Sequence, residues 1–513
     1  MVFLSNAISN SKLEGKDECT ESDQTEEVYS STVYGSRWSD QPIPRFELPE
    51  DEMPPHVAYK LIKDDLAVTT ESALDSKPTL NLASFVTTYM EEEAEKLMYE
   101  NISKNFIDFE EYPMSVEIQN RCVNIIARLF HAPVDNPNQE AMGVSTVGSS
   151  EAIMLAVLAM KRRWQEQRRA KGLSTDKPNL VMGSNVQVCW EKACRYFEVE
   201  ENYVYCSEGQ YILSPEKAVE LVNENTIGVC VILGSTYTGH YEDVKAVNDL
   251  LLVKKALTGW EVPIHVDAAS GGFVAPFVNP DLEWDFRLPL VKSINVSGHK
   301  YGLCYPGIGW AIWRSAKYLP KDLVFTINYL GADQASFTLN FSKGASHVIA
   351  QYYVLIRLGR KGFTSIMKNI TKHADRLAQM LEATERFEIL SERNGKGLPV
   401  VAFRLKHNEK MNYDEFDLAT RLRERGWVVP AYTMAPHAEH IKLLRVVLRE
   451  DFTRIRCELL MKDIKLALSL LDKMDRAAIK TMRSASQRWT LLKHATLAFK
   501  GHKNQTDKTY GVC

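Results

Sequence analysis

Pro263-Ile264-His265-Val266-Asp267-Ala268-Ala269 and Lys292-Ser293-Ile294-Asn295-Val296-Ser297-Gly298-His299-Lys300 each run from an apolar strand pattern into small or polar residues, and they place Lys300 thirty-three positions after Asp267. A third run, Thr226-Ile227-Gly228-Val229-Cys230-Val231-Ile232-Leu233, does the same into Gly234-Ser235-Thr236. Short apolar runs bounded by turn residues read as buried strands. In an open α/β sheet, ligands bind beyond the carboxyl ends of such strands. The predicted edge therefore brings a carboxylate and an amine to one cleft. A lysine amine forms a Schiff base with pyridoxal phosphate (PLP), and a carboxylate holds the cofactor's ring nitrogen protonated. An arbitrary Asp/Lys pair is most often a surface salt bridge; the strand-end setting is what favours the cofactor reading here.

Working outward, helical patterns over Val116 to Leu129, Ser149 to Ala170 and Ser214 to Asn223 alternate with short apolar runs as far as Ile308 to Trp313. This alternation predicts one mostly parallel sheet covered on both faces. A long helix from about Ser342 to Lys361, with further helix to about Thr384, leads out of it. Phe387 to Leu390, Leu398 to Arg404 and Leu443 to Leu448 then read as strands of a smaller α+β domain. The predicted organisation is an N-terminal segment and arm (1–80), a large cofactor-binding domain (81–370), a small C-terminal domain (371–473) and a basic tail (474–513). The first thirty residues hold seven acids and two bases among Ser, Thr and Asn, a composition that predicts disorder.

With 513 residues, 45% of them hydrophobic, and a formal net charge of −4, the chain reads as an ordinary soluble protein with no global pull toward nucleic acid. No apolar run reaches the length of a membrane span. The opening Met1-Val2-Phe3-Leu4 has no basic n-region, so a cytosolic location is expected. Nine cysteines without a Cys-x-x-Cys pair read as reduced thiols, with no zinc or other metal site expected.

Gly148-Ser149-Ser150-Glu151 opens the helical run Ala152 to Arg163. Hydroxyl residues at a helix N-terminus suit a phosphate dianion, although plain N-capping accounts for the same pattern. Thr236 and His299 fall at neighbouring strand ends. Taken with Asn81 to Phe85, Asn105 to Asp108, Glu111-Tyr112-Pro113, Thr146 to Ala152, Val186 to Trp190, His265 to Phe273 and Val296 to Tyr301, these segments resemble the plant-type glutamate decarboxylases, group II PLP-dependent decarboxylases of the aspartate-aminotransferase fold type I.

The resemblance implies that Lys300 carries the cofactor and that Asp267 pairs with its ring nitrogen. It implies Gln187 against the ring face, and Ser149, Ser150, Thr236 and His299 around the phosphate, with Ser342 reaching in from a partner subunit. Arg445 would take the α-carboxylate of L-glutamate, and Ser84, Phe85, Asn105 and Asp108 would recognise the distal carboxyl. Tyr329, in Asn328-Tyr329-Leu330-Gly331, would sit on a mobile loop as a catalytic proton donor. The implied assembly is a homo-oligomer built from dimers, up to a hexamer.

Residues 477 to 503 contain six Lys/Arg and no acid. Met482, Ala485, Trp489, Leu492, Thr496 and Phe499 recur at steps of three and four, placing them on one helical face. A basic amphipathic helix with a tryptophan anchor fits calcium-loaded calmodulin, and it fits equally a helix docked on its own protein. The family resemblance implies the former, with Trp489, Leu492 and Phe499 as contacts and an autoinhibitory role. The tail departs from the family in lacking paired lysines beside Trp489.

Other chemistries compete. Ser297 to Lys300 also satisfies Ser-x-x-Lys, but the Ser-Asp-Asn and Lys-Thr-Gly partners of penicillin-binding enzymes are absent from the sequence. A decarboxylase or lyase for a different amino acid, and a non-catalytic scaffold that kept the fold, remain open at this point.

Overall fold

A computed structural model describes residues 47–49, 52–67, 77–107, 110–134, 136, 138–329, 332–406 and 411–484. The acidic segment expected to be disordered, and the predicted site residues Asp108, Trp489, Leu492 and Phe499, lie outside these residues. The chain divides into residues 1–78 and residues 79–513. The first unit contributes the helix Pro55–Ala67, close to the short helical stretch that the sequence predicts there.

The second unit is built on a seven-stranded sheet. Its strands are β1 (Met142–Thr146), β2 (Asn179–Gly183), β3 (Glu200–Val204), β4 (Thr226–Ile232), β5 (Ile264–Asp267), β6 (Val291–Ser297) and β7 (Gly309–Trp313). They stand in the order β1-β7-β6-β5-β4-β2-β3. β6, β5, β4, β2 and β3 pair in parallel, while β7 runs antiparallel to both β6 and β1. Every residue of β2, β4, β5 and β6 is buried; β2 and β4 accordingly read as nearly continuous apolar runs, whereas β5 and β6 alternate apolar residues with the buried polar side chains His265, Asp267, Ser293 and Asn295.

Hairpin strands β8 (Phe325–Tyr329) and β9 (Ala332–Ser336) follow, pairing Tyr329 with Ala332. The segment expected to be a mobile loop around Tyr329 therefore begins as paired backbone. The long helix is Ser346–Glu382, and it kinks at Gly359, whose φ of 54° is outside helical space and costs a glycine least. Four antiparallel strands, β10 (Phe387–Ile389), β11 (Val400–Leu405), β12 (Ala431–Thr433) and β13 (Lys442–Val447), form a second sheet. With the helix Arg454–Leu471 they enclose a second core that includes Phe403, Leu444 and Ile464. β12 carries no strong apolar pattern, and the sequence reading omits it.

The seven cysteines among the described residues are all free and buried, as expected of reduced thiols. Among these residues no helix is long and apolar enough to cross a membrane, and no group of His, Cys, Asp and Glu is arranged to hold a metal ion.

Candidate active site

β1, β2, β4, β5 and β6 point the same way, so their carboxyl ends share one edge of the large sheet. That edge gathers most of the predicted cofactor residues. Ser149 and Ser150 follow β1, Gln187 follows β2, Thr236 follows β4, Asp267 ends β5, and His299 and Lys300 follow β6. One sheet topology thus brings together residues that run from Ser149 to Lys300 in the sequence.

Lys300 donates from Nζ to Ser270 Oγ at 3.2 Å and lies 5.4 Å from the centre of the Phe85 ring. Burial pushes its ammonium below the usual lysine range, against the opposing pull of Asp267. Its backbone is held as well: Thr87 Oγ1 donates to the Lys300 carbonyl at 2.8 Å, and Thr87 N to the His299 carbonyl at 3.0 Å.

Asp267 is 2% exposed and accepts three N–H groups. Ala269 N and Asn295 Nδ2 reach Oδ1 at 3.1 and 2.9 Å, and Trp190 Nε1 reaches Oδ2 at 2.9 Å. A carboxylate offers about four acceptor positions, so one on Oδ2 stays open.

The helix Ser149–Arg169 has Gly148 as its N-cap and no side-chain cap, so the capping explanation for Ser149 does not hold. The Ser149 hydroxyl meets that of Ser297, and Ser150 meets the Cys189 thiol. Gly309 backs this turn so closely that a Cβ there would come within 2.7 Å of the Gly148 backbone. His299 Nδ1 lies 2.8 Å from the Ile308 carbonyl, which places a proton on Nδ1. Burial, reinforced by the Lys300 charge, pushes the ring down to about 4, leaving it neutral. Gln187 donates from Nε2 to Thr236 Oγ1. An amine, an acceptor aimed from Asp267, and hydroxyls at a helix N-terminus fit the reactive aldehyde, ring nitrogen and phosphate of PLP respectively.

Arg445, on β13, donates from Nη1 to the Thr236 carbonyl and from Nη2 to the Ala83 carbonyl at 2.7 Å. Its buried Nε has no hydrogen-bond partner among the described residues. The guanidinium lies 4.9 Å from the Phe85 ring centre and 5.5 Å from that of Tyr432, so Phe85 faces both Arg445 and Lys300. Arg449 fixes the same segment through the Asn81 and Ser84 carbonyls, at 2.7 and 2.8 Å. Asn105 joins a different group, accepting from Lys343 N at 2.8 Å and donating to Ser342 Oγ at 3.4 Å. Ser342, expected to serve a partner subunit, thus stands beside Asn105 of its own chain. Glu151 ties the approach to Ser342 back to the serine turn, accepting Val147 N at 2.9 Å and Leu339 N at 3.0 Å.

Sequence reasoning missed Trp190, Asn295, Ser270, Thr87 and Tyr432 as neighbours of this cleft. Trp190 carried a usable signal: it stands one helical turn beyond Gln187.

The chain matches the pyridoxal-dependent decarboxylase conserved domain over residues 55–406. It is 58% identical over 446 residues to a glutamate decarboxylase of Petunia hybrida, covering 87% of each chain. It is 44% identical over 453 residues to glutamate decarboxylase beta of Listeria monocytogenes, covering 88% of this chain and 95% of that one. The solved structure of a Lactobacillus brevis glutamate decarboxylase superposes with a TM-score of 0.81 at 40% identity, over 86% of this chain and 98% of that one. A Burkholderia pseudomallei sphingosine-1-phosphate lyase shares the fold at 19% identity, with a TM-score of 0.70 over 90% of this chain and 99% of that one.

Proposed function

The chain belongs to the glutamate decarboxylases of the pyridoxal-dependent decarboxylase family, and from that premise we propose that it converts L-glutamate to 4-aminobutanoate (GABA) and carbon dioxide at the cleft around Lys300. The observation that carries this reading is the Phe85 ring, which faces the Lys300 amine on one strand end and the Arg445 guanidinium from the second sheet.

Bound PLP supplies an aldehyde for the substrate amine and a protonated ring that takes up the electron pair released with carbon dioxide. The chain's residues do the rest. Lys300, whose burial favours the neutral amine, would hold the cofactor through its Nζ. Asp267 presents its open Oδ2 position to the ring nitrogen. Ser149, Ser150, Thr236 and His299 orient the phosphate, with Ser342 contributed by the partner subunit, and Gln187 lies along the ring. Arg445 meets the α-carboxylate through its unpartnered Nε. Ser84, Phe85, Asn105 and Asp108 set the reach to the distal carboxyl. Tyr329 delivers the proton to Cα, since delivery to the cofactor instead would give transamination.

The finer reading is a cytosolic homo-oligomer built from dimers, with residues 81–370 as the large domain and 371–473 as the small one. Its tail, through Trp489, Leu492 and Phe499, would bind calcium-loaded calmodulin and inhibit the enzyme when free. The decisive experiment incubates purified protein and PLP with L-glutamate and follows carbon dioxide and GABA. Absence of both products, in protein that has taken up PLP, overturns the reading.

A further inference from the structure

His265 and Ser293 have no part in the chemistry above, yet they continue it. β5 and β6 pair His265 with Ser293 and Asp267 with Asn295 in one register, so four polar side chains line one face of two buried strands. Exposures run from 0% for Asn295 to 3% for Ser293, with His265 at 1%, and Trp190, at 0%, covers the same face. Its ring stands edge-on to His265 with centroids 5.4 Å apart. Unpaired polar groups are costly at such depth, so the occupancy of each donor and acceptor is informative.

The protons along this ladder are determined by inventory. The Asp267 carboxylate only accepts, so Asn295 must turn Nδ2 toward it. Asn295 Oδ1 then faces His265 Nε2 at 2.7 Å, which requires the His265 proton on Nε2. His265 Nδ1 is left as an acceptor, and Ser293 Oγ donates to it at 2.7 Å. The result is a directed chain, Ser293 to His265 to Asn295 to Asp267, in which every donor points toward the carboxylate. Hydrogen bonds in series polarise one another in a low-dielectric interior.

We infer that His265 is a positioning residue that, through Asn295, orients the Asp267 carboxylate and enriches its donor shell so that Oδ2 is held toward the cofactor's ring nitrogen. The inference rests on the assignment of Asp267 made above. Burial lowers the His265 proton affinity and so favours the neutral, singly protonated ring that the chain requires. The cross-strand register is the physical cause: a slip of β5 by one residue would turn His265 and Asp267 to the face away from Ser293 and Asn295.

The test uses full-length protein loaded with PLP. His265→Leu removes the donor, and His265→Gln keeps an amide N–H for Asn295 Oδ1. Loss of the hydrogen-bond partner behind a metal ligand typically costs about ten- to hundredfold in activity, and by that analogy His265→Leu is expected to lower kcat by about tenfold while KM for glutamate stays within about twofold. Without substrate, the visible absorption band of the bound cofactor should shift, and His265→Gln should restore most of band and turnover. A residue that merely fills the core would lower thermal stability and leave the band in place. In an Asp267→Asn background, His265→Leu should add no further spectral change, because its effect runs through Asp267.

An unmoved band in His265→Leu, or an equal shift with and without Asp267, overturns the inference. Should His265→Leu fail to fold, the smaller change Ser293→Ala carries the same readout, and an unmoved band there overturns it equally. The underlying assignment fails separately, if Asp267→Asn alone keeps wild-type turnover and spectrum.

Discussion

Arg483 grips Asp417, its Nε 2.9 Å from Oδ1 and its Nη2 on Oδ2, and so fastens the start of the basic tail to the helix Glu415–Arg423. Residues 476–484 are helical, Ile479 is 2% exposed, and Met482 packs against the second core. The tail's first turns are therefore part of the body, and a deletion that begins at Ala477 would remove core together with any regulatory segment. A chain ending at Ser484 should keep wild-type thermal stability, show raised activity at neutral pH and lose any response to calcium-calmodulin. Ile479→Ala should cost about 2 to 5 kcal/mol in denaturant unfolding, as for other buried aliphatic truncations. A Ser484-terminated protein whose activity is unchanged, together with an intact protein insensitive to calmodulin, would leave the docked helix as the tail's whole role.

Lys300→Ala should abolish turnover, since the other side chains named at the cleft, Arg445, His299, Gln187 and the serine and threonine hydroxyls, include no primary amine to form a Schiff base. Borohydride reduction of the holoenzyme should trap the cofactor on the peptide that contains Lys300. Mass spectrometry that finds the reduced adduct on another lysine contradicts the assignment.

Glutamate should be favoured over aspartate. With the α-carboxylate on Arg445, shortening the substrate by one methylene leaves the distal groups unpaired, at about 1 to 3 kcal/mol for a buried polar group. That corresponds to roughly five- to 150-fold in kcat/KM. Arg445→Lys should raise KM sharply, because a lysine cannot keep the Thr236 and Ala83 carbonyls and also meet a carboxylate. Equal kcat/KM for the two amino acids would contradict this account.

His299 gives the cofactor-free protein a pH signature. Its folded value is about 4, depressed by burial and then by the Lys300 charge, against an ordinary value of 6.5. Between those limits the unfolded chain binds more protons, so stability is full above pH 6.5 and is lost as pH falls toward 4. The loss amounts to roughly 3 kcal/mol. Denaturant midpoints of His299→Gln should decline less than wild type over this window. A phosphate anion at the serine turn favours the second proton on the ring, so added inorganic phosphate should reduce the difference. Identical pH profiles for the two proteins would remove the assignment.

Much of the fold could be read locally. β4, β5, β6 and β7 lie within a residue or so of the segments that predict them: β4 and β7 are mostly apolar because both of their faces are buried, and β5 and β6 were marked by apolar residues leading into small or polar ones. The helix Ser149–Arg169 was legible from its small polar start and its long helical pattern. β12 and the β8–β9 hairpin were not: their residues are held by pairing with neighbours, and no pattern of their own announces it. The long helix was legible as two stretches that meet near Lys361, but the kink was not assigned to Gly359, since an isolated glycine is tolerated in a straight helix too.

The sequence by itself determined the chemistry on offer: an amine and a carboxylate at two strand ends, hydroxyls before a helix, and an arginine in a later strand. These follow from residue type and local period, which short windows contain. Only the tertiary structure decided how the groups are used. The β5–β6 register set Asn295 and His265 behind Asp267. The packing of the second sheet brought Arg445 to the Phe85 ring that Lys300 also faces. Burial lowered both Lys300 and His299. Register, long-range packing and dielectric are properties of the assembled core, set by contacts between residues from tens to hundreds of positions apart, and no local pattern encodes them.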